Sequence, residues 1–361
     1  MWSSLWSSSS SVMDSYTEAD ALWYLNPTAQ QRAAMMELRS RLQRDNLTVE
    51  GHDDDYTLLR FLMARDFNVE KALSMYRDMR AWRLENRVDG LYESDPSGSA
   101  YPQKEKLLQV YPHFYFNTDK FGRPVYIELL GRTDASALFA TINVDDLIRY
   151  HIWTWERYLR CYLPACSTAA GRHICTTTVI IDLAGLSLMN FNSATQKLLS
   201  TFSKIDQDYY PEHLGNMFVI NTPMIFRGIW AAVQPLLQER TRKKIVILGS
   251  DYLPTLTQMV PLDRLPDIFG GKMLLEPYKS VGPWQQQRGV EAEACADARV
   301  QVSAGGWASG CLEKLSGEEL DAGALAASAL AADGGPDENA PGMDRGGALA
   351  AAPASALPAP V

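Results

Sequence analysis

The residues in this sequence whose types could do chemistry are few and far apart. Asp182 closes the apolar run Thr177 to Leu183 (TTVIIDL), and catalytic carboxylates do sit at the ends of buried strands. No His or Cys stands near it in a recognisable pairing, so Asp182 reads as a strand-end or helix-capping carboxylate. The five cysteines (Cys161, Cys166, Cys175, Cys295 and Cys311) contain no C-x-x-C pair, which points to neither a disulfide framework nor a zinc site and fits a reducing cytosol. The five histidines show no H-E-x-x-H or similar ligand spacing. The chain also lacks a G-x-S-x-G elbow, a phosphate-cradling G-x-x-x-x-G-K-[ST] loop and a G-x-G-x-x-G after a strand. Gly270-Gly271 follows Phe269 too late in the chain, with no helix pattern after it, to be a nucleotide loop. These patterns predict no enzyme, no cofactor and no metal.

The segment that does stand out is apolar. Phe226, Ile229, Trp230, Val233 and Leu237 recur at helical spacing between the two most apolar strands. By composition this is a crossover helix packed on a sheet. Gly228 and Pro235 inside it weaken the helix and give it a place to hinge.

The charge is unevenly spread. Of a formal −9, the stretch from Gly289 to Val361 carries −8 (11 acidic and 3 basic residues), which leaves −1 for the rest of the chain. A nearly neutral body argues against nucleic acid as a partner, since phosphate binding needs a clear basic excess. It permits transient contact with a membrane surface. No apolar run reaches the roughly 18 residues that a spanning helix needs.

The elements that must position any site follow from periodicity. Residues 1–26, opening MWSSLWSSSSSV, lack the basic and apolar regions of a secretory signal and read as a disordered serine-rich leader. Residues 27–95 form a helical lobe. Thr28 and Gln31 make a capping box for a helix through Leu42, a second helix starts at Asp53 to Asp55, and a third runs from Val69 to Trp82. From residue 96 to 288, strands at Pro124–Leu130, Thr177–Leu183, Met217–Asn221 and Lys244–Gly249 alternate with helices at Val144–Leu163, Ser193–Ile205 and Phe226–Leu237. Short, β-branched strands separated by helices of that length predict an α/β fold with a mostly parallel sheet. Residues 289–361, rich in Ala, Gly and Pro with scattered acids, read as a disordered tail.

Several blocks, in order, resemble one known family. LLRFLMARDFNVEKA (Leu58 to Ala72), NTDKFGRPVY (Asn117 to Tyr126), YLPACS (Tyr162 to Ser167), YYPEHLGNMFVIN (Tyr209 to Asn221) and LPDIFGGK (Leu265 to Lys272) are similar to the CRAL-TRIO lipid-binding family, in the branch of the yeast secretory phosphatidylinositol/phosphatidylcholine transfer protein. The resemblance spans about Asp53 to Pro277. It implies an all-helical N-terminal lobe, then a sheet flanked by helices around a deep apolar pocket for one lipid, with Phe226 to Leu237 as the helix that gates it.

The resemblance also implies head-group residues. For phosphatidylinositol they are Glu212, Lys244, Thr241 and Arg65, a lysine suiting a phosphate and a carboxylate suiting inositol hydroxyls. The residue after Arg65, basic in the yeast protein, is Asp66 here, which leaves part of the phosphate cluster unaccounted for. For phosphatidylcholine they are Tyr115, Tyr126, Trp155 (a tyrosine in the family) and Thr177, aromatic faces suiting a quaternary ammonium; a second hydroxyl position holds Val179. The function implied is exchange of one phospholipid between membranes by a cytoplasmic monomer that touches Golgi or other endomembranes. Two rivals stay open at this point: a carrier of another hydrophobic molecule, such as a tocopherol or retinoid, and a lipid-sensing interaction module in phosphoinositide signalling.

Overall fold

The computed structural model describes residues 16–49, 51–187, 192–234, 237, 239–276 and 279–285. The expected tail from residue 289, the start of the leader before Tyr16 and the hinge residue Pro235 lie outside these. Three helices open the chain: α1 (Ala29–Arg44), α2 (Asp55–Ala64) and α3 (Val69–Glu85). Each starts at a side chain that accepts an otherwise orphaned amide, namely Thr28 in a reciprocal box with Gln31, Asp54, and Asn68. Leu58, Leu59 and Leu62 with Ala72, Leu73, Tyr76, Met79 and Trp82 are buried, as their spacing predicts, while Met63 is only half-buried.

The leader ends earlier than expected. Residues 16–26 are folded, with a capped helical turn at Glu18–Ala21 and a second turn at Trp23–Leu25. Ala21, Leu22 and Tyr24 are buried, and the Tyr24 hydroxyl donates to the His173 carbonyl at 3.3 Å. The apolar residues that a serine-rich composition masked supply the burial that orders this segment.

The α/β part continues through α4 (Lys104–Val110), β1 (His113–Thr118), β2 (Pro124–Glu128), α5 (Ala135–Thr141), α6 (Val144–Arg157), α7 (Leu163–Ala170), β3 (Thr177–Asp182), α8 (Ser193–Tyr209), β4 (Leu214–Ile220), α9 (Phe226–Val233), α10 (Glu239–Lys243) and β5 (Ile245–Ile247). One sheet holds all five strands in chain order, with β1 antiparallel to β2 and the other neighbours parallel. The expected helix Val144–Leu163 is interrupted: a wide π turn at Tyr158–Tyr162 separates α6 from α7, and Pro164 sits in the first turn of α7, where a missing amide costs nothing.

Two of the resemblance blocks are structural anchors. In the turn before β2, Asp119 accepts hydrogen bonds from the Phe121 and Arg123 amides, the Arg123 Nε (2.6 Å) and the Thr178 hydroxyl (2.8 Å). Arg123 is fully buried and also donates to Asn216 Oδ1 at 2.8 Å, so it ties this turn to β3 and β4. In the Leu265 to Lys272 block, a Cβ on Gly271 would lie 1.9 Å from the Leu265 carbonyl oxygen, so only glycine fits. The helical lobe is fixed to the rest by a buried bidentate pair, Arg83 donating to both Glu156 oxygens at 2.9 and 3.1 Å, and by Trp82 stacked on Tyr209 at 4.0 Å.

Candidate functional site

One face of the sheet walls a cavity of about 560 Å³. Side chains alternate across a strand, and the register carries that alternation over the sheet: Tyr115 pairs with Tyr126, Tyr126 with Val179, and Val179 with Met217. These four form one row of the cavity wall, while Phe116, Val125, Ile127, Ile180 and Phe218 occupy alternating positions and are almost fully buried. Opposite the sheet stand α6, through Tyr150, Thr154 and Trp155, and α8, through Leu199, Phe202 and Asp206. The lining is predominantly apolar and aromatic with a few converging polar groups, the make-up of a small-molecule site.

Some of the polar groups are those that the resemblance singled out. Glu212, Thr241 and Lys244 all line the cavity. Lys244 Nζ donates to Glu212 Oε2 at 2.8 Å and to the Leu214 carbonyl at 2.7 Å. Glu212 sits in the turn between α8 and β4 at φ 59°, a left-handed backbone that non-glycine residues rarely adopt, and strain of this kind collects where a side chain must be aimed. A second cation, missed at the level of sequence, joins Lys244 on Glu212. Arg240 Nη1 donates to Glu212 Oε1 at 3.1 Å and to the Met63 carbonyl, and its Nη2 donates to Asp66 Oδ1 at 2.6 Å. The acidic Asp66 is thus matched by a guanidinium from α10, and its departure from the family pattern was the one signal that could have found Arg240. Arg65 is not on the cavity wall; it is half-buried, and its Nη1 donates to the Ala64 carbonyl at 3.0 Å.

Tyr115, Tyr126, Trp155 and Thr177 line the same cavity, and Thr177 pairs across the sheet with Leu214, whose carbonyl accepts from Lys244. Tyr115 and Tyr126 rings lie 5.1 Å apart, and Tyr162 is 4.4 Å from Tyr115. The Trp155 N–H is committed to Asp206 Oδ1 at 2.6 Å, an oxygen that also bonds His151 Nε2 at 2.7 Å. The Thr177 hydroxyl donates to the Pro124 carbonyl at 2.9 Å. Sequence reasoning passed over a polar pair here: the Tyr111 hydroxyl donates to Glu128 Oε1 at 2.9 Å, and burial pushes the Glu128 carboxyl up. Burial likewise holds the neighbouring His113 down at about 4, so its imidazole is neutral near pH 7.

Of the five gate residues, Leu237 lines the cavity, whereas Phe226, Ile229, Trp230 and Val233 do not. Ile229 is buried, Phe226, Trp230 and Val233 are half-buried, and Phe226 stacks on Trp230 at 6.2 Å. Met224 and Ile225, just before α9, are exposed. Asp182 has the structural role that its surroundings predicted: its Oδ1 accepts from the Ala184 amide and from Asn221 Nδ2. Among the described residues no three His, Cys, Asp or Glu side chains converge as metal ligands, and no helix is long and apolar enough to cross a membrane.

Comparison with known proteins places this architecture. The CRAL/TRIO domain matches residues 108–271, and the CRAL/TRIO N-terminal domain matches residues 34–78. The chain is 40% identical over 233 residues to the phosphatidylinositol/phosphatidylcholine transfer protein SFH7 of Arabidopsis thaliana, covering 64% of this chain and 42% of that protein. It is 36% identical over 279 residues to the SEC14 cytosolic factor of Kluyveromyces lactis, covering 74% of this chain and 90% of that protein. The first plant relatives are thus spanned over less than half of their length. The crystal structure of Sfh5 shares the fold, with a TM-score of 0.52 at 18% identity over 74% of this chain and 99% of that one.

Proposed function

We propose that this chain, which belongs to the CRAL/TRIO family, is a carrier that exchanges one phospholipid between membranes, with phosphatidylinositol as the better-fitted cargo and phosphatidylcholine as the second. The observation that carries this is the set Glu212, Thr241 and Lys244 gathered on the wall of a 560 Å³ cavity whose lining is predominantly apolar and aromatic. Burying acyl chains gains about 0.8 kcal/mol per methylene relative to water. A bilayer offers the same gain, so moving a lipid into the cavity is nearly neutral and the head-group contacts decide selectivity.

Lys244 and Arg240 are both bound to Glu212, so the cations and the carboxylate satisfy one another. An incoming phosphate competes for the cations, and the inositol hydroxyls then donate to the Glu212 carboxylate they vacate. Tyr115 and Tyr126 supply the aromatic faces for a choline head group. No covalent step is invoked. The Phe226–Val233 helix serves as the gate, its exposed leading residues Met224 and Ile225 meeting the bilayer. The division into a helical lobe over residues 27–95 and a lipid-binding domain over residues 96–288, a monomeric state, a cytoplasmic location and transient contact with endomembranes belong to the same proposal.

The test is native mass spectrometry with lipid extraction on the protein purified from a eukaryotic host. Bound phosphatidylinositol, lost in a Glu212→Gln or Lys244→Ala variant, supports the proposal. A neutral lipid or terpenoid in its place would retain the carrier and reject the cargo.

A further inference from the structure

A second cavity, of about 440 Å³, shares the wall Tyr210, Pro211 and His213 with the first but reaches none of Glu212, Thr241 and Lys244. Its own walls come from the start of α2 and the loop before it (His52, Thr57, Arg60) and from the π turn and α7 region (Arg160, Ser167, His173). Arg60 is only 7% exposed. Its Nη2 donates to the Thr57 hydroxyl at 2.8 Å, and it forms no ion pair with a described carboxylate. A guanidinium stays charged at any physiological pH, and burying one without a counter-charge is unfavourable.

Among the described residues no carboxylate contacts the Arg60 guanidinium directly. Asp54 lines the cavity but reaches Arg60 only through the Thr57 hydroxyl, its oxygens also accepting from the Tyr56 and Thr57 amides in capping α2. Glu156 is held by Arg83 and by the Tyr210 hydroxyl. Arg160 adds a second guanidinium, paired with Glu93 at 3.2 Å and more loosely with Glu156 at 3.9 Å, and Gly51 at φ 75° lets the loop close to within van der Waals contact of it. His52 Nε2 and His173 Nε2 are buried with no partner. Burial, then the nearby Arg83, Arg160 and Arg60, push His52 down to about 2, and burial followed by Arg60 lowers His173. The imidazoles are therefore neutral, in a cavity whose field is positive.

We propose that this second cavity binds a phosphorylated small molecule, its phosphate held between Arg60 and Arg160 with the His52 and His173 imidazoles beside it. Two guanidinium forks offer more donors than the two oxygens of a carboxylate can use, whereas the three terminal oxygens of a phosphate match them. The volume is within the roughly 300–1,000 Å³ range of small-ligand sites. The phosphate comes either from a free organic phosphate or from a lipid head group.

The experiment is isothermal titration of the full chain with pyrophosphate, at an ionic strength matched with sodium chloride. The wild type binds, and Arg60→Met and Arg160→Gln each weaken binding about tenfold or more, the worth of one charge-assisted hydrogen bond. Lys244→Ala leaves the pyrophosphate affinity unchanged, because Lys244 lines only the lipid cavity. Arg160 is one-third exposed, so its replacement keeps the test valid even if Arg60→Met fails to fold. No binding by the wild type, unchanged affinity in Arg160→Gln, or an equal loss in Lys244→Ala overturns the proposal. Displacement of pyrophosphate by inositol trisphosphate identifies a free phosphate, and displacement by vesicles containing a phosphatidylinositol phosphate identifies a head group. Displacement by neither overturns the assignment to an organic phosphate.

Discussion

Replacing Lys244 with alanine separates the two head-group sites. Two of the three Nζ donors are used, on Glu212 at 2.8 Å and on the Leu214 carbonyl at 2.7 Å, which leaves one donor for a phosphate that competes with Glu212 for the charge. A hydrogen bond to a charged group contributes about 1.5–3 kcal/mol, and about 1.4 kcal/mol is a factor of ten. Phosphatidylinositol affinity is therefore expected to fall roughly ten- to a hundredfold. The fold loses less: the Glu212 side chain, 8% exposed, keeps Arg240 as a partner at 3.1 Å. On the proposed assignment the choline lipid would meet Tyr115 and Tyr126 instead and should be spared. The assay is transfer of fluorescent phosphatidylinositol and phosphatidylcholine between vesicles by the same folded variant, read as a ratio. The ratio should shift toward phosphatidylcholine by at least tenfold; an equal fall in both, or no fall in either, would refute the assignment of Lys244 to the inositol lipid.

Three further outcomes follow from the same geometry. Val179→Thr adds a hydroxyl to the row between Tyr126 and Met217, and should raise phosphatidylcholine transfer by about two- to tenfold, one neutral hydrogen bond, with phosphatidylinositol transfer unchanged. Arg83→Met takes the bidentate partner from a Glu156 that is 1% exposed, leaving it the Tyr210 hydroxyl and Arg160 at 3.9 Å, and should cost about 3 kcal/mol in urea denaturation, a loss below 1 kcal/mol contradicting the anchoring role. Acid should destabilise the fold from pH 6.5 downward. His113 and His52 are each 8% exposed with folded values near 4 and 2, so the unfolded chain binds protons first and stability falls with pH. At pH 5, 1.5 units below the unfolded value at about 1.4 kcal/mol per unit, each costs about 2 kcal/mol, while the raised Glu128 acts in the opposite direction. Denaturation midpoints at pH 7 and pH 5 check this, and equal stability at the two would contradict it.

What could be read from sequence was whatever is local or repeats with a fixed period. Caps at Thr28 and Asp54 place α1 and α2, and the β-branched run Thr177–Asp182 is β3. By contrast β1 was missed, because His113, Tyr115 and Asn117 alternate with Phe114 and Phe116 and so break the apolar run that marks a buried strand. His113 and Tyr115 line the cavity. Glu212 and Lys244 were found through motif resemblance, not through spacing. Arg240 with Asp66, Glu128 with Tyr111, and Asp206 with Trp155 are brought together only by the tertiary fold, so no pattern along the chain announces them. Arg60 lies inside one of the quoted blocks, but its missing counter-charge is visible only once its neighbours are in place.

The most direct test of the carrier account is the rate at which catalytic amounts of the full chain move labelled phosphatidylinositol from donor to acceptor vesicles. The account predicts acceleration well above the spontaneous rate, with the protein recovered carrying one lipid. A rate no faster than the protein-free control, from a folded protein that retains no lipid, would contradict it.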